Sequence, residues 1–196
     1  MESTITEILT FWFAELDEQG LCDPGQHDLW FRKSENTDQL CKTRFGDKVE
    51  SALAGELDSW AETDSGLMAL ILLLDQITRN IGRDTPAAFA GDRGALTLAS
   101  AAIDNGRHEK LPAIHRVFLY LPLEHSENID DQDRCVALMQ ALAKEVDAPQ
   151  FPGFADYAEQ HRQVIAQFGR FPHRNVILGR ESTAAELAYL QEHGGF

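Results

Sequence analysis

Apolar residues recur every three or four positions along nearly all of this 196-residue chain, and the sustained period-2 alternation of a half-buried strand is hard to find in it. That period predicts an all-α fold, because only a helix returns residues i, i+3, i+4 and i+7 to one face. Ile5, Ile8, Leu9, Trp12, Phe13 and Leu16 trace a first helix, with Gly20 beyond its end, and Cys41, Phe45, Val49, Leu53 and Leu57 trace a second. Thr63 or Asp64 caps a third, whose run GLMALILLLDQI is apolar almost all round and therefore central and buried. A fourth begins at Asp92 and stops at Asn105-Gly106, and a fifth runs from about Pro112 toward Pro122. Cys135, Leu138, Met139, Leu142 and Val146 mark a sixth, and Phe154, Tyr157, His161, Val164, Ile165 and Phe168 a seventh closed by Gly169. Thr183 and Glu186 form a T-x-x-E capping box that opens the last of about eight helices.

No linker interrupts the pattern, and a chain of this length with 43% hydrophobic residues buries one substantial core, so a single all-helical domain over 1–196 is expected. The formal charge of -15 argues against nucleic acid or an anionic membrane surface as partner, since both are bound by clustered Lys and Arg. The longest wholly apolar run, Leu67 to Leu74, is far too short to span a bilayer, and no signal peptide is visible at the N-terminus. Cys22, Cys41 and Cys135 show neither a disulfide framework nor metal-ligand spacing, which fits a reduced cytoplasmic setting. No metal or cofactor is expected.

Against that acidic background, residues 161–180, HRQVIAQFGRFPHRNVILGR, hold four arginines and two histidines but no Asp or Glu. The forty residues before them hold nine acids and two bases. Such a stretch builds a local positive field, which either holds an anion or neutralises acidic neighbours. Within it, FGRFPHRN presents Arg170, His173, Arg174 and Asn175 as donors on a loop stiffened by Pro172. Three further polar insertions sit beside apolar helices. Asp75, Gln76, Arg79 and Asn80 end the buried third helix, with Asp75 and Arg79 spaced to pair at i and i+4. Glu124, His125, Ser126 and Glu127 follow Pro122, and a histidine flanked by carboxylates has the chemistry of a general acid-base group. His161 falls on the apolar stripe of its helix and should point inward, either as a satisfied core residue or as part of a site. The two WF pairs, Trp12-Phe13 and Trp30-Phe31, read first as core.

The strings LLLDQITRNI, FLYLPLEHSEN and RFGRFPHRNVILGRESTAAEL, with the two WF pairs, resemble a largely bacterial family of soluble proteins of unknown function, assigned to the tetratricopeptide-repeat-like helical superfamily. The resemblance covers nearly the whole chain and departs at Thr78, where a proline often stands. It implies a right-handed array of antiparallel helix pairs around a concave surface, and it carries no activity or catalytic residue with it. Two functions follow as expectations. In one, a polar pocket binds a small anionic molecule, with Arg79, Asn80, Glu124, Glu127, His161, Arg170, Arg174 and Asn175 as ligand-binding residues and His125 or His173 exchanging a proton. In the other, the array is an interaction module that receives an acidic peptide group, and the Arg/His cluster is a structural polar network.

Overall fold

The computed structural model describes residues 2–195, and among them there are helices and no strand. Two compact units divide the chain, one of Met1–Arg83 with Ala87–Pro122 and the other of Asp84–Pro86 with Leu123–Phe196.

The first unit opens with α1 (Glu2–Phe13), which buries Ile5, Ile8, Trp12 and Phe13 along the expected stripe. It stops before Leu16 because Ala14 takes a left-handed φ of 57°, which breaks the i→i−4 ladder. A short α2 (Gln26–Phe31), absent from the periodicity, then serves the end of α1. Gln26 Nε2 and Trp30 Nε1 donate to the Trp12 carbonyl at 2.9 and 2.7 Å, satisfying an acceptor that a helix C-terminus leaves open. The WF pairs are core in the main: Trp12 and Phe13 are buried, and Trp30 packs 4.7 Å from Phe118, while Phe31 is 43% exposed. Helix α3 (Glu35–Leu53) is capped by Ser34, whose hydroxyl accepts from Thr37 N–H, and buries Cys41, Phe45, Val49 and Ala52.

The central apolar helix is built as α4 (Asp64–Ile71), a π-helical segment Leu72–Ile77, and α5 (Thr78–Ile81), which run on without a break. Thr63 is the cap, accepting from Gly66 N–H at 3.1 Å. All residues from Leu67 to Leu74 are buried. The π segment closes where Thr78 donates both its N–H and its hydroxyl to the Leu73 carbonyl five residues back. Gly91 lies against the same segment, so close that a Cβ there would fall 2.2 Å from Leu74 O, an approach only glycine allows. Helix α6 (Asp92–Asp104) starts after it and ends before Gly106, whose φ of 71° supplies the left-handed residue. In α7 (Ala113–Glu124) Pro122 sits inside the helix instead of ending it. Leu121 and Leu123 on either side of it are buried, and such apolar packing offsets the roughly 3 kcal/mol a mid-helix proline costs.

The second unit is a helical pair, α8 (Ile129–Glu145) against α9 (Phe151–Phe168), followed by a loop and α10 (Ala184–His193). Asn128 caps α8 by accepting from Asp130 N–H at 2.8 Å, and Gly169 ends α9 in a left-handed conformation. The capping box of Thr183 and Glu186 is formed at the start of α10. Val164, Ile165 and Phe171 make a small core, with Phe168 and Tyr189 packed on it. Counting α4, the π segment and α5 as one, the described residues hold nine helices, close to the eight read from periodicity.

Candidate functional site

The candidate residues fall into two groups. Arg79 and Asn80 lie in the first unit, and Glu124, His125, Glu127, His161, Arg170, His173, Arg174 and Asn175 in the second.

In the first group the charges are matched. Asp75 is fully buried, accepts from Gln76 Nε2 at 2.5 Å and lies 3.6 Å from Arg79 Nη2. Arg79 also donates Nη1–H to Asp92 at 2.8 Å and to the Ala88 carbonyl at 3.1 Å. Burial works to lower the Arg79 pKa, but Asp75 and Asp92 outweigh it and raise the value. Asn80 donates to Asp38 at 2.8 Å, and Arg83 grips the same carboxylate at 2.5 and 2.7 Å. The geometry is that of ion pairs fastening α3 and α6 to the buried helix.

The second group begins with the turn after α7. Gln132 on α8 reaches back and donates to Glu124 O at 2.6 Å and Ser126 O at 2.7 Å, holding carbonyls that the helix end would leave open. Glu127 accepts from Phe171 N–H at 2.8 Å and from both Nη groups of Arg180 at 2.7 and 2.9 Å. Its burial favours the neutral acid, yet these bonds prevail and hold its pKa low. Arg180 also donates to Phe171 O at 3.1 Å, so one acid and one base fix the loop backbone on both sides of Phe171. Arg170 forms a two-pronged pair with Glu186 at 2.6 and 2.8 Å and donates to Glu181 O at 2.8 Å. That pair, ahead of the capping-box contacts, brings Glu186 down to about 2. Asn175 is fully buried and donates to Ser182 Oγ at 3.0 Å.

His161 points inward as its stripe required and is 3% exposed. Its Nδ1–H donates to the Tyr157 carbonyl one turn back at 3.0 Å, which leaves Nε2 as the acceptor nitrogen of the neutral ring. Glu124 Oε1 stands 3.6 Å from the same Nδ1, too far to take that hydrogen. Burial pushes the His161 pKa down to about 3, and nearby His125, Arg174 and His173 act in the same direction, against the hydrogen bond to Tyr157 O. Arg174 is itself buried, lies over the Phe171 ring at 4.4 Å and donates Nη1–H to His125 O at 3.0 Å. Phe171 in turn meets the His161 and His173 rings edge-on and tilted, at 5.5 and 5.6 Å. The structure therefore gathers the 124–127 turn, His161 and the FGRFPHRN loop within one unit.

Four partners were not singled out by the sequence reasoning. Arg180 and Glu186 each pair with a residue that was, and no local spacing announces pairs 53 and 16 positions apart. Gln132 and the Tyr157 carbonyl act through groups that carry no sequence signal of their own. Among the described residues, no group of three or more His, Cys, Asp or Glu is placed to hold a metal ion, and the three cysteines are free thiols. No described helix is long and apolar enough to cross a membrane.

Comparison with known proteins agrees with the helical architecture. A solved structure of a protein of unknown function, ATU0120 from Agrobacterium tumefaciens, is 37% identical to this chain. The match covers 97% of this chain and 98% of that one, with a TM-score of 0.83. No curated protein matches. The model of a family described as bacterial protein of unknown function (DUF924) matches residues 8–194, and the chain belongs to that family.

Proposed function

We propose that the second unit binds a small anion, a carboxylate or a phosphate, beside Arg174 and the imidazoles of His125, His161 and His173. The observation that carries this reading is the gathering of Arg174, whose guanidinium lies over the Phe171 ring and donates to His125 O at 3.0 Å, with the His161 and His173 rings against that same phenyl. A guanidinium and imidazoles collected in one place draw a negatively charged group. Arg174 is the clamp, because a guanidinium presents paired donors that match a carboxylate or phosphate edge. His125 or His173 exchanges a proton with the bound group. Arg170 and Arg180 hold Glu186 and Glu127, and their part is to fix the loop that carries Arg174.

Titration calorimetry with inorganic phosphate and with small monocarboxylates tests this. Loss of a charge-assisted hydrogen bond weakens binding by on the order of ten- to a hundredfold, which is the effect expected of Arg174→Ala. Arg162→Ala, which removes an exposed pair with Asp133, leaves the affinity unchanged. Failure of the wild-type protein to bind any of these anions at millimolar concentration, or equal affinity in Arg174→Ala, defeats the reading.

A further inference from the structure

Helix α10 ends in a backbone shape that a side chain resists. Gly194, its C-cap, has φ 74° and ψ −154°, a region populated almost only by glycine, and its N–H donates to Leu190 O at 2.9 Å. The chain leaves the helix there, and Gly195 lies against His173. A Cβ built on Gly195 would stand 2.7 Å from His173 Cβ, 3.1 Å from Cγ and 3.7 Å from Nδ1. Contacts under 3.0 Å are not made by real Cβ atoms, so a residue with a side chain could not rest there without displacing the imidazole or itself. Two adjacent glycines thus have separate tasks: Gly194 sets the direction and Gly195 permits the contact.

The end of α10 is anchored on the other side. His193 stacks on Tyr189 at 4.6 Å, and Tyr189 meets Phe168 at 5.2 Å within the small apolar core. Beyond that anchor Gly195 is exposed, while His173 beneath it is half-buried. Released glycines regain more backbone freedom than any other residue, so a closed arrangement made of them opens at little cost.

The geometry points to a strap: the Gly194-Gly195 segment lies over the base of the half-buried His173 side chain and limits the access of its ring to solvent and to anions. The control of anions rests on the binding reading given above, whereas the covering of His173 does not. Lifting the strap exposes the ring, and reseating it withdraws the ring.

Carbethoxylation by diethyl pyrocarbonate, followed at His173 by peptide mass mapping of the full chain, reads the covering directly. The half-exposed His193 is the internal reference. Gly194→Ala puts a Cβ in a backbone region that resists it and Gly195→Ala sets one against His173 Cβ, and each shifts the equilibrium toward the lifted segment by roughly tenfold, so the His173 rate rises by about that factor. Phosphate affinity, measured by calorimetry on the same proteins, rises with it. Unchanged His173 reactivity in both variants overturns the strap, whether or not phosphate binds. Raised reactivity with unchanged phosphate affinity overturns the control of ligand access. Raised reactivity in proteins that take up no phosphate leaves the covering in place and removes the anion site together with its gate.

Discussion

His115, half-buried in the first unit, and His161, buried in the second, are both held neutral, but for different reasons. His115 lies 4.3 Å from Phe13 and burial alone pushes its pKa to about 4. His161 goes to about 3, and there burial is joined by Arg174, His125 and His173. Desolvation by apolar neighbours is the ordinary fate of a core histidine and says nothing of function. Charged and titratable neighbours, the Glu124 carboxylate 3.6 Å from Nδ1 among them, set the second ring apart from the first. One shift comes from packing alone, and charged neighbours contribute to the other.

The largest expected effect sharpens the contrast with a third buried group. Asp75 is fully buried and paired with Arg79, so Arg79→Ala removes its counter-charge and should destabilise the fold by about 3–5 kcal/mol in urea unfolding. Phosphate affinity should not move, since Ala88 O, Asp92 and Asp75, the partners of Arg79, all belong to the first unit. A loss of phosphate binding in a folded Arg79→Ala protein would break the division of roles between the two units.

Acid unfolding comes next. For both histidines the folded pKa lies below the ordinary 6.5, so the folded state binds fewer protons than the unfolded one. Their contribution to stability is therefore whole above about pH 6.5 and is lost as pH falls toward 4 for His115 and 3 for His161. Each should contribute on the order of a few kcal/mol over that window, and His161→Gln or His115→Gln should flatten the acid limb of a stability-pH curve. Arg174→Gln removes a positive neighbour of His161 and should change its limb alone. Identical responses to that substitution at the two positions would erase the distinction.

How much of this was legible beforehand differs by residue. The inward aim of His161 could be read from its stripe, because helical period fixes direction. The caps at Thr63, Asn105-Gly106, Gly169 and Thr183 were readable for the same local reason. Pro122 misleads, since its local penalty is offset by the burial of Leu121 and Leu123, a tertiary fact. The π segment gives no sign in hydrophobicity, because an apolar helix buried all round looks alike in either winding. Most telling is Arg170, which reads as a clamp from its loop and proves to be held by Glu186, a residue whose local role in the capping box concealed its longer reach. Spacing exposes what a residue does to its own helix and hides which distant charge it meets.

A smaller effect belongs to that capping box. Thr183→Ala removes the hydroxyl that accepts Glu186 N–H at 3.2 Å and should cost about 1 kcal/mol. Its consequence for the site is indirect, through the grip of Glu186 on Arg170, and should appear as a modest fall in melting temperature with phosphate affinity nearly intact.

The most direct measurement is the ring nitrogen chemical shifts of His115 and His161, followed by NMR across a pH titration with and without inorganic phosphate. The account predicts that without phosphate both rings stay neutral at pH 6, His161 with its proton on Nδ1 as the bond to Tyr157 O requires. Phosphate should then raise the His161 pKa by partly cancelling the positive charge of Arg174, and should leave His115 where it was. A His161 that is already protonated at pH 6, or that responds to phosphate no more than His115 does, would contradict it.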